Sequence, residues 1–179
     1  MVAIMREILR KYPKCEFGRE LFPGNPIPIL RVSGGKTTAD VADWGYLTQK
    51  GKRVYNARSE TLLEKPLFGK DFIQNRCVIP VTGFCEWDGD GTGWDFLPQE
   101  EEMLYLAGVC RKKAEGWEAT VVTEHASGCV GVIHHRTPLI LSGENLRQWL
   151  YDEALARQFL EEAKERVLLK RKKMEGETL

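Results

Sequence analysis

From Ile27 to Leu141 the sequence breaks into short extended runs, and almost nothing of helical length separates them. Ile27–Val32, Arg76–Val81, Met103–Val109 and Trp117–Thr123 read as strands; Thr38–Trp44 alternates weakly, and Val54–Thr61 reads as strand then turn. Phe68–Gln74 is the one short helical stretch among them. Parallel neighbours need a crossover of a dozen or more residues, usually a helix, and this spacing rarely leaves room for one. The expected fold is therefore α+β, with a mostly antiparallel, barrel-like β core flanked by helices at the N- and C-termini. Ile4, Met5, Ile8 and Leu9 fall on one side of a helix over 1–12, opposite Arg6, Glu7, Arg10 and Lys11, and Pro13 closes it. Near the other end, Ser142 is the expected N-cap of a helix over 143–151, and Asp152 that of another running to Lys164.

The chain has 179 residues, 42% of them hydrophobic, which is enough for one core and one domain over 1–179. No apolar run approaches the roughly 20 residues that span a bilayer, and no export signal is recognisable. Five cysteines without a C-x-x-C pair fit reduced thiols in the cytoplasm. Twenty-six basic residues balance 26 acidic ones, so any nucleic-acid surface has to be a local patch. Ser33-Gly34-Gly35-Lys36 lacks the spacing of a phosphate loop, and Asp88–Gly93 reads as a hairpin loop. The latter is no calcium loop, because Gln99 stands where the twelfth-position carboxylate belongs. His125, Cys129, His134 and His135 match no closed zinc pattern, so neither a metal nor another cofactor is expected. The run Leu169-Lys170-Arg171-Lys172-Lys173 reads as a solvated end, and the chain as a monomer.

Chemistry concentrates in three places. Asn56, Arg58 and Glu60 put an amide, a guanidinium and a carboxylate within five positions. Glu86 closes the oily stretch that begins at Cys77. Strand alternation sends residues 84 and 86 to one face and 85 and 87 to the other. If the 84/86 face is internal, Glu86 is either a desolvated acid with a raised pKa or the partner of a fixed cation such as Arg58 or Arg76. His134 and His135, read as extended, point opposite ways. Trp44, before Gly45 and Tyr46, is either a core residue or a stacking platform.

N-A-R-x-E-T at Asn56–Thr61, R-C-x-I-P-x-x-G-F-x-E-W at Arg76–Trp87 and H-x-R-x-P-L-I-L at His134–Leu141 resemble, in order and separation, the SOS-response-associated peptidase (SRAP) family. The resemblance implies a protein that recognises abasic sites in single-stranded DNA and links itself to the ring-opened sugar. The family nucleophile is an N-terminal cysteine, whose amine forms a Schiff base and whose thiol closes a thiazolidine. By motif position Asn56 holds nucleophile and sugar, Glu86 deprotonates the amine, and His134 moves protons during ring opening. Arg58 and Arg136 meet phosphates, and Trp44 and Trp87 wall the bases. The implied location is cytoplasmic, on the nucleoid when DNA is bound.

The family's Met-Cys-Gly-Arg start is replaced by Met1-Val2-Ala3-Ile4, and the first cysteine is Cys15. The expectation is that the N-terminal catalytic segment is missing, either truncated or lost, leaving an open cleft beside Met1. Cys85 replaces a customary aromatic, and alternation turns it away from Glu86. Besides abasic-site capture, two alternatives stay open: a thiol or auto-processing peptidase, and a non-catalytic single-stranded DNA-binding module.

Overall fold

The computed structural model describes residues 2–13, 20–99, 102–161 and 168–173. Met1, Cys15 and the end of the helix expected to reach Lys164 lie outside them.

Helix α1 (Val2–Lys11) precedes a long hairpin of β1 (Pro26–Ser33) and β2 (Lys36–Trp44). The hairpin turns on Gly34 and Gly35, whose φ angles of 57° and 74° fit a two-residue turn that glycine enters without strain. Two short strands follow, β3 (Tyr46–Leu47) and β4 (Arg53–Val54), and then β5 (Asn56–Arg58), which runs into a 3₁₀ turn at Ser59–Thr61. Helix α2 (Gly69–Gln74) leads into β6 (Arg76–Val81). Next come the hairpin β7 (Phe84–Trp87) and β8 (Gly93–Pro98), and the hairpin β9 (Leu104–Lys112) and β10 (Trp117–His125). Beyond these lie α3 (Gly128–Gly131), β11 (Arg136–Pro138), β12 (Ile140–Leu141), α4 (Asn145–Tyr151), α5 (Glu153–Glu161) and β13 (Leu168–Lys172).

The architecture is α+β, with a mostly antiparallel but partly mixed sheet. Pairings run from β2 through β1, β6 and β9 to β10, and β10 meets β2 again in parallel over only two residues, Glu118 and Ala119. The barrel-like expectation is met only in this loose sense. β5 also joins β10 in parallel, so two short parallel contacts interrupt an otherwise antiparallel order.

β6 explains why its sequence reads as a continuous apolar run. Val78 packs with Phe72, Trp149, Phe159 and Leu160 beneath α2, α4 and α5, whereas Cys77 and Ile79 join Ile27, Ile29, Leu106 and Val121 on the other side. Both faces are buried, so alternation of polarity disappears. Arg76 opens this strand inside the protein and donates to the carbonyls of Phe72 and Trp149, both at 2.6 Å. The Trp149 indole returns a hydrogen bond to Cys77 O at 2.8 Å, and its ring meets Phe72 edge-on at 5.7 Å, a contact worth about 1 kcal/mol beyond burial.

Three local expectations change. Ser142 does not cap α4, whose N-cap residue is Glu144; Ser142 only accepts, through its carbonyl, from Asn145 N. Asp152 does cap α5, its Oδ1 accepting from Leu155 N at 3.0 Å. The basic run is not a free end. It forms β13, which pairs antiparallel with β8 and makes β7–β8–β13 a separate three-stranded sheet.

Candidate active site

Glu86 lies on β7 opposite Trp94 of β8, in regular antiparallel register. Two residues back, Phe84 stacks on Phe96 with ring centroids 5.1 Å apart and packs against the inner core cluster. The 84/86 face is therefore the inward one. Glu86 Oε2 stands 3.6 Å from His134 Nδ1, with the two side chains 26% and 32% exposed. Burial pushes the Glu86 carboxyl above the usual carboxylate range, and the His134 imidazole pulls it back only in part. Neither Arg58 nor Arg76 is its partner, since Arg76 is bound to carbonyls on the far side of β6.

His134 sits in the turn between α3 and β11, not on a strand. The two histidines do not point opposite ways: their rings lie 4.5 Å apart, tilted by 48°. The cause is the turn of α3, where Ile133 N and His134 N both donate to Val130 O and so abolish the extended geometry. Nδ1 of His134 lies 3.0 Å from Arg136 O and 3.2 Å from Arg136 N. A proton on Nδ1 finds the carbonyl or Glu86, and a bare Nδ1 accepts from the Arg136 N–H. Nδ1 thus faces both a donor and an acceptor, and each protonation state keeps one of the two bonds.

Arg136 is only 9% exposed and does not offer an open charge. Its Nη1 and Nη2 grip Glu60 at 2.6 and 3.0 Å, and Nη2 also donates to Thr123 O at 2.6 Å. These bonds tie Arg136 to Glu60 and Thr123 at the turn that carries His134. Glu60 also lies 3.3 Å from His125 Nε2, and the Arg136 hydrogen bonds hold its carboxyl below the usual range.

Three strands align the remaining polar residues. Val121 and Thr123 of β10 pair with Asn56 and Arg58 of β5, while Thr123 and His125 pair with Pro138 and Arg136 of β11. Asn56, Arg58, Thr123, His125 and Arg136 thus share one face, with Ala57 and Val122 buried behind it. Asn56 and Arg58 are exposed, and neither side chain has a hydrogen-bond or ion-pair partner among the described residues.

The two tryptophans take different places. Trp44 is half-buried against the inner core and donates its indole N–H to Tyr55 O at 3.2 Å, so it serves packing while leaving an edge exposed. Gly45 beside it has φ 107°, and a Cβ there would lie 2.6 Å from the Tyr55 ring; only glycine fits. Trp87 is 51% exposed but stands on the face of β7 opposite Glu86, with Lys173 5.8 Å above its ring. Cys85 shares that opposite face, across from Asp95. Burial, then the Asp95 charge, pushes its thiol up to about 11, the reverse of an activated nucleophile. Asp88 spends its oxygens on Asp90 N, Thr92 N and the Trp94 indole, and no group of three metal-ligating side chains occurs among the described residues. None of the helices in the described residues is long and apolar enough to cross a membrane.

Reading the sequence missed the partnership of Glu60, although Glu60 stood in the same motif as Asn56 and Arg58. Its partner lies 76 positions away, and only the fold brings the two together.

The family described as SOS response associated peptidase (SRAP) matches residues 9–175. The chain belongs to the SRAP family. Among its relatives, the abasic site processing protein YoqW of Bacillus subtilis is 31% identical over 119 residues, covering 62% of this chain and 53% of that protein. YobE of the same species, with the same description, is 34% identical over 109 residues, covering 56% and 50%. The abasic site processing protein HMCES of Gallus gallus is 34% identical over 127 residues, covering 55% and 38%. The matches thus span about half the length of YoqW and YobE and less of HMCES. A phage-related protein of Bordetella bronchiseptica superposes with a TM-score of 0.73 over 94% of this SRAP chain and 88% of its own, at 20% identity. A Bacteroides thetaiotaomicron protein gives 0.71 over 89% and 82%, at 22% identity. At those identities the likeness is one of fold.

Proposed function

We propose that this SRAP chain processes abasic sites in single-stranded DNA, with Glu86 and His134 as its proton-transfer pair. The observation that carries the reading is the 3.6 Å approach of a carboxyl with a raised pKa to an imidazole that can exchange a proton at Nδ1. That combination suits imine formation. A base must take a proton from an attacking amine, and an acid must open the sugar ring and release water from the carbinolamine. The names of the relatives support the substrate. Asn56 and Arg58, unpartnered on one face, are suited to bind the sugar and a phosphate. Trp44 offers an exposed ring edge to a flanking base, whereas Trp87 stands on the opposite face of β7. The raised Cys85 thiol on the opposite face counts against a thiol peptidase.

In the family's chemistry an amine adds to the aldehyde and loses water to give an imine, and a thiol two carbons from that nitrogen closes the durable ring. The 179-residue chain has valine and alanine after Met1. An imine formed with the ring-opened sugar is the species that borohydride traps on a uracil-excised oligonucleotide. Placing a Met-Cys-Gly-Arg start and its short connecting strand ahead of the chain yields a heat-stable adduct on a denaturing gel. Glu86→Gln and His134→Ala each slow its formation by about 100-fold. Undiminished adduct in both variants would overturn the assignment.

A further inference from the structure

The two faces of β13 differ in how their charge is answered. Arg171 and Lys173 turn to one face, where Asp95 and Glu20 pair with them. Lys170 and Lys172 turn to the other, across β8 from Phe84 and Glu86: the rows are Lys170–Phe96–Phe84 and Lys172–Trp94–Glu86. Both lysines are exposed, and neither has an ion-pair partner among the described residues. Asp88, at the hairpin tip, feels the charge of Lys172, but its own oxygens are held by Trp94 and backbone N–H groups. Lys170 Nζ lies 4.8 Å over the Trp94 ring, so part of the entropy of fixing that charge is already spent. Strands lie about 4.8 Å apart, which puts the backbone of Lys172 roughly 10 Å from that of Glu86.

We infer that Lys170 and Lys172 form a phosphate track that carries a single DNA strand away from the Glu86–His134 site. This rests on the function proposed above and assigns the path of the strand. Edge strands often carry lysines simply to discourage pairing with other chains. That need is indifferent to which face the lysines take and to whether they are neutralised. Here the unanswered pair is on the face of Glu86, in a chain whose total charge is zero. Trp94 is the bracket: it positions Lys170 on one side and is itself fixed through Asp88.

The test is fluorescence anisotropy with a uracil-excised single-stranded oligonucleotide across a salt series. It compares the full chain, the double variant K170Q/K172Q, and K36Q/K50Q, which removes the same charge at two other hairpin tips. Two lost phosphate contacts predict affinity lower by about 20-fold at 0.1 M salt and a salt slope flatter by about 1.4, with K36Q/K50Q unchanged. Shortening the oligonucleotide to a few residues around the abasic position should erase the difference between wild type and K170Q/K172Q. At saturating DNA, the borohydride-trapped yield of K170Q/K172Q should equal wild type. Equal affinity and slope for both double variants, with adduct still dependent on Glu86, would overturn the track and leave the proposed function standing. A wild type that binds no single-stranded DNA would overturn both.

Discussion

Glu60 and Glu86 reach the same turn of chain, residues 134 to 136, through two different partners. Glu60 meets Arg136 with both oxygens, and its carboxyl is held below the ordinary range. Among the described residues Glu86 meets an imidazole at 3.6 Å, from a site whose burial holds its carboxyl above that range. One carboxylate is a fixed charge that anchors a strand end; the other is the proton carrier of the proposed function. The lesson is that the partner, not the residue type, decides the role. A permanently charged guanidinium gives its carboxylate no reason to take up a proton, whereas a titratable partner leaves the proton free to move.

The sharpest way to break this comparison is to neutralise each acid in turn. Glu86→Gln should reduce adduct formation by about 100-fold or more while leaving the circular dichroism spectrum unchanged. Glu60→Gln should do the reverse. It leaves Arg136 buried without its counter-charge and should cost about 2 kcal/mol in urea unfolding, below the 3–5 kcal/mol of a fully buried pair because Glu60 is partly exposed. At saturating DNA it should retain most of the adduct rate. Equal catalytic loss in the two variants would mean that both acids serve one proton network.

A smaller effect is expected at Arg58, whose guanidinium has no partner among the described residues. Arg58→Ala should weaken single-stranded DNA binding by about fivefold at 0.1 M salt, whatever the base sequence, and flatten the salt slope by about 0.7. Unchanged affinity and slope would take Arg58 off the DNA surface.

Smallest, and most direct, is the dependence of stability on pH. Glu60, with its folded pKa lowered from 4.5, contributes stability that is present above 4.5 and fades as pH falls through the folded value. Glu86, with its folded pKa raised from 4.5, binds its proton more tightly when folded. Its cost is absent in acid and grows as pH climbs from 4.5 through the folded value. Melting curves from pH 3 to 7 should therefore show Glu86→Gln gaining on wild type toward neutrality and Glu60→Gln losing. Both differences should shrink in acid. Parallel curves for the two variants would show that the environments do not differ as described.

The sequence was most readable where the local pattern and the fold agree. Arg76–Val81 announced an apolar strand, the glycine-rich segment after Trp87 announced a hairpin, and the alternation from Phe84 to Trp87 put Phe84 and Glu86 on one face, which the structure turns inward. It was least readable where distant pairing decides. Lys170 to Lys173 gave no alternation to read, because every position is basic. Only pairing with β8 reveals two faces with different partners. The pairing of Arg136 with Glu60 has no local sign, and the adjacent histidines looked extended because nothing in Val130–Ile133 marks one helical turn. The parallel contacts of β10 with β2 and β5 could not be anticipated from an order of strands that otherwise suits antiparallel neighbours.

The register of β13 has a consequence for the order in which the protein is made. Leu168 pairs with Pro98, seventy positions earlier, so the outer strand leaves the ribosome well after the β7–β8 hairpin it joins. Until it docks, β8 presents an unpaired edge containing Trp94, Phe96 and Leu97, a template for pairing with another nascent chain. Closing a loop of that length is also slow compared with forming a hairpin. Newly synthesised molecules thus pass through a stage in which most of the sheet is built while that edge stays open and liable to aggregate. Strand-breaking substitutions in Leu168–Lys172 should show first as poor soluble yield during expression.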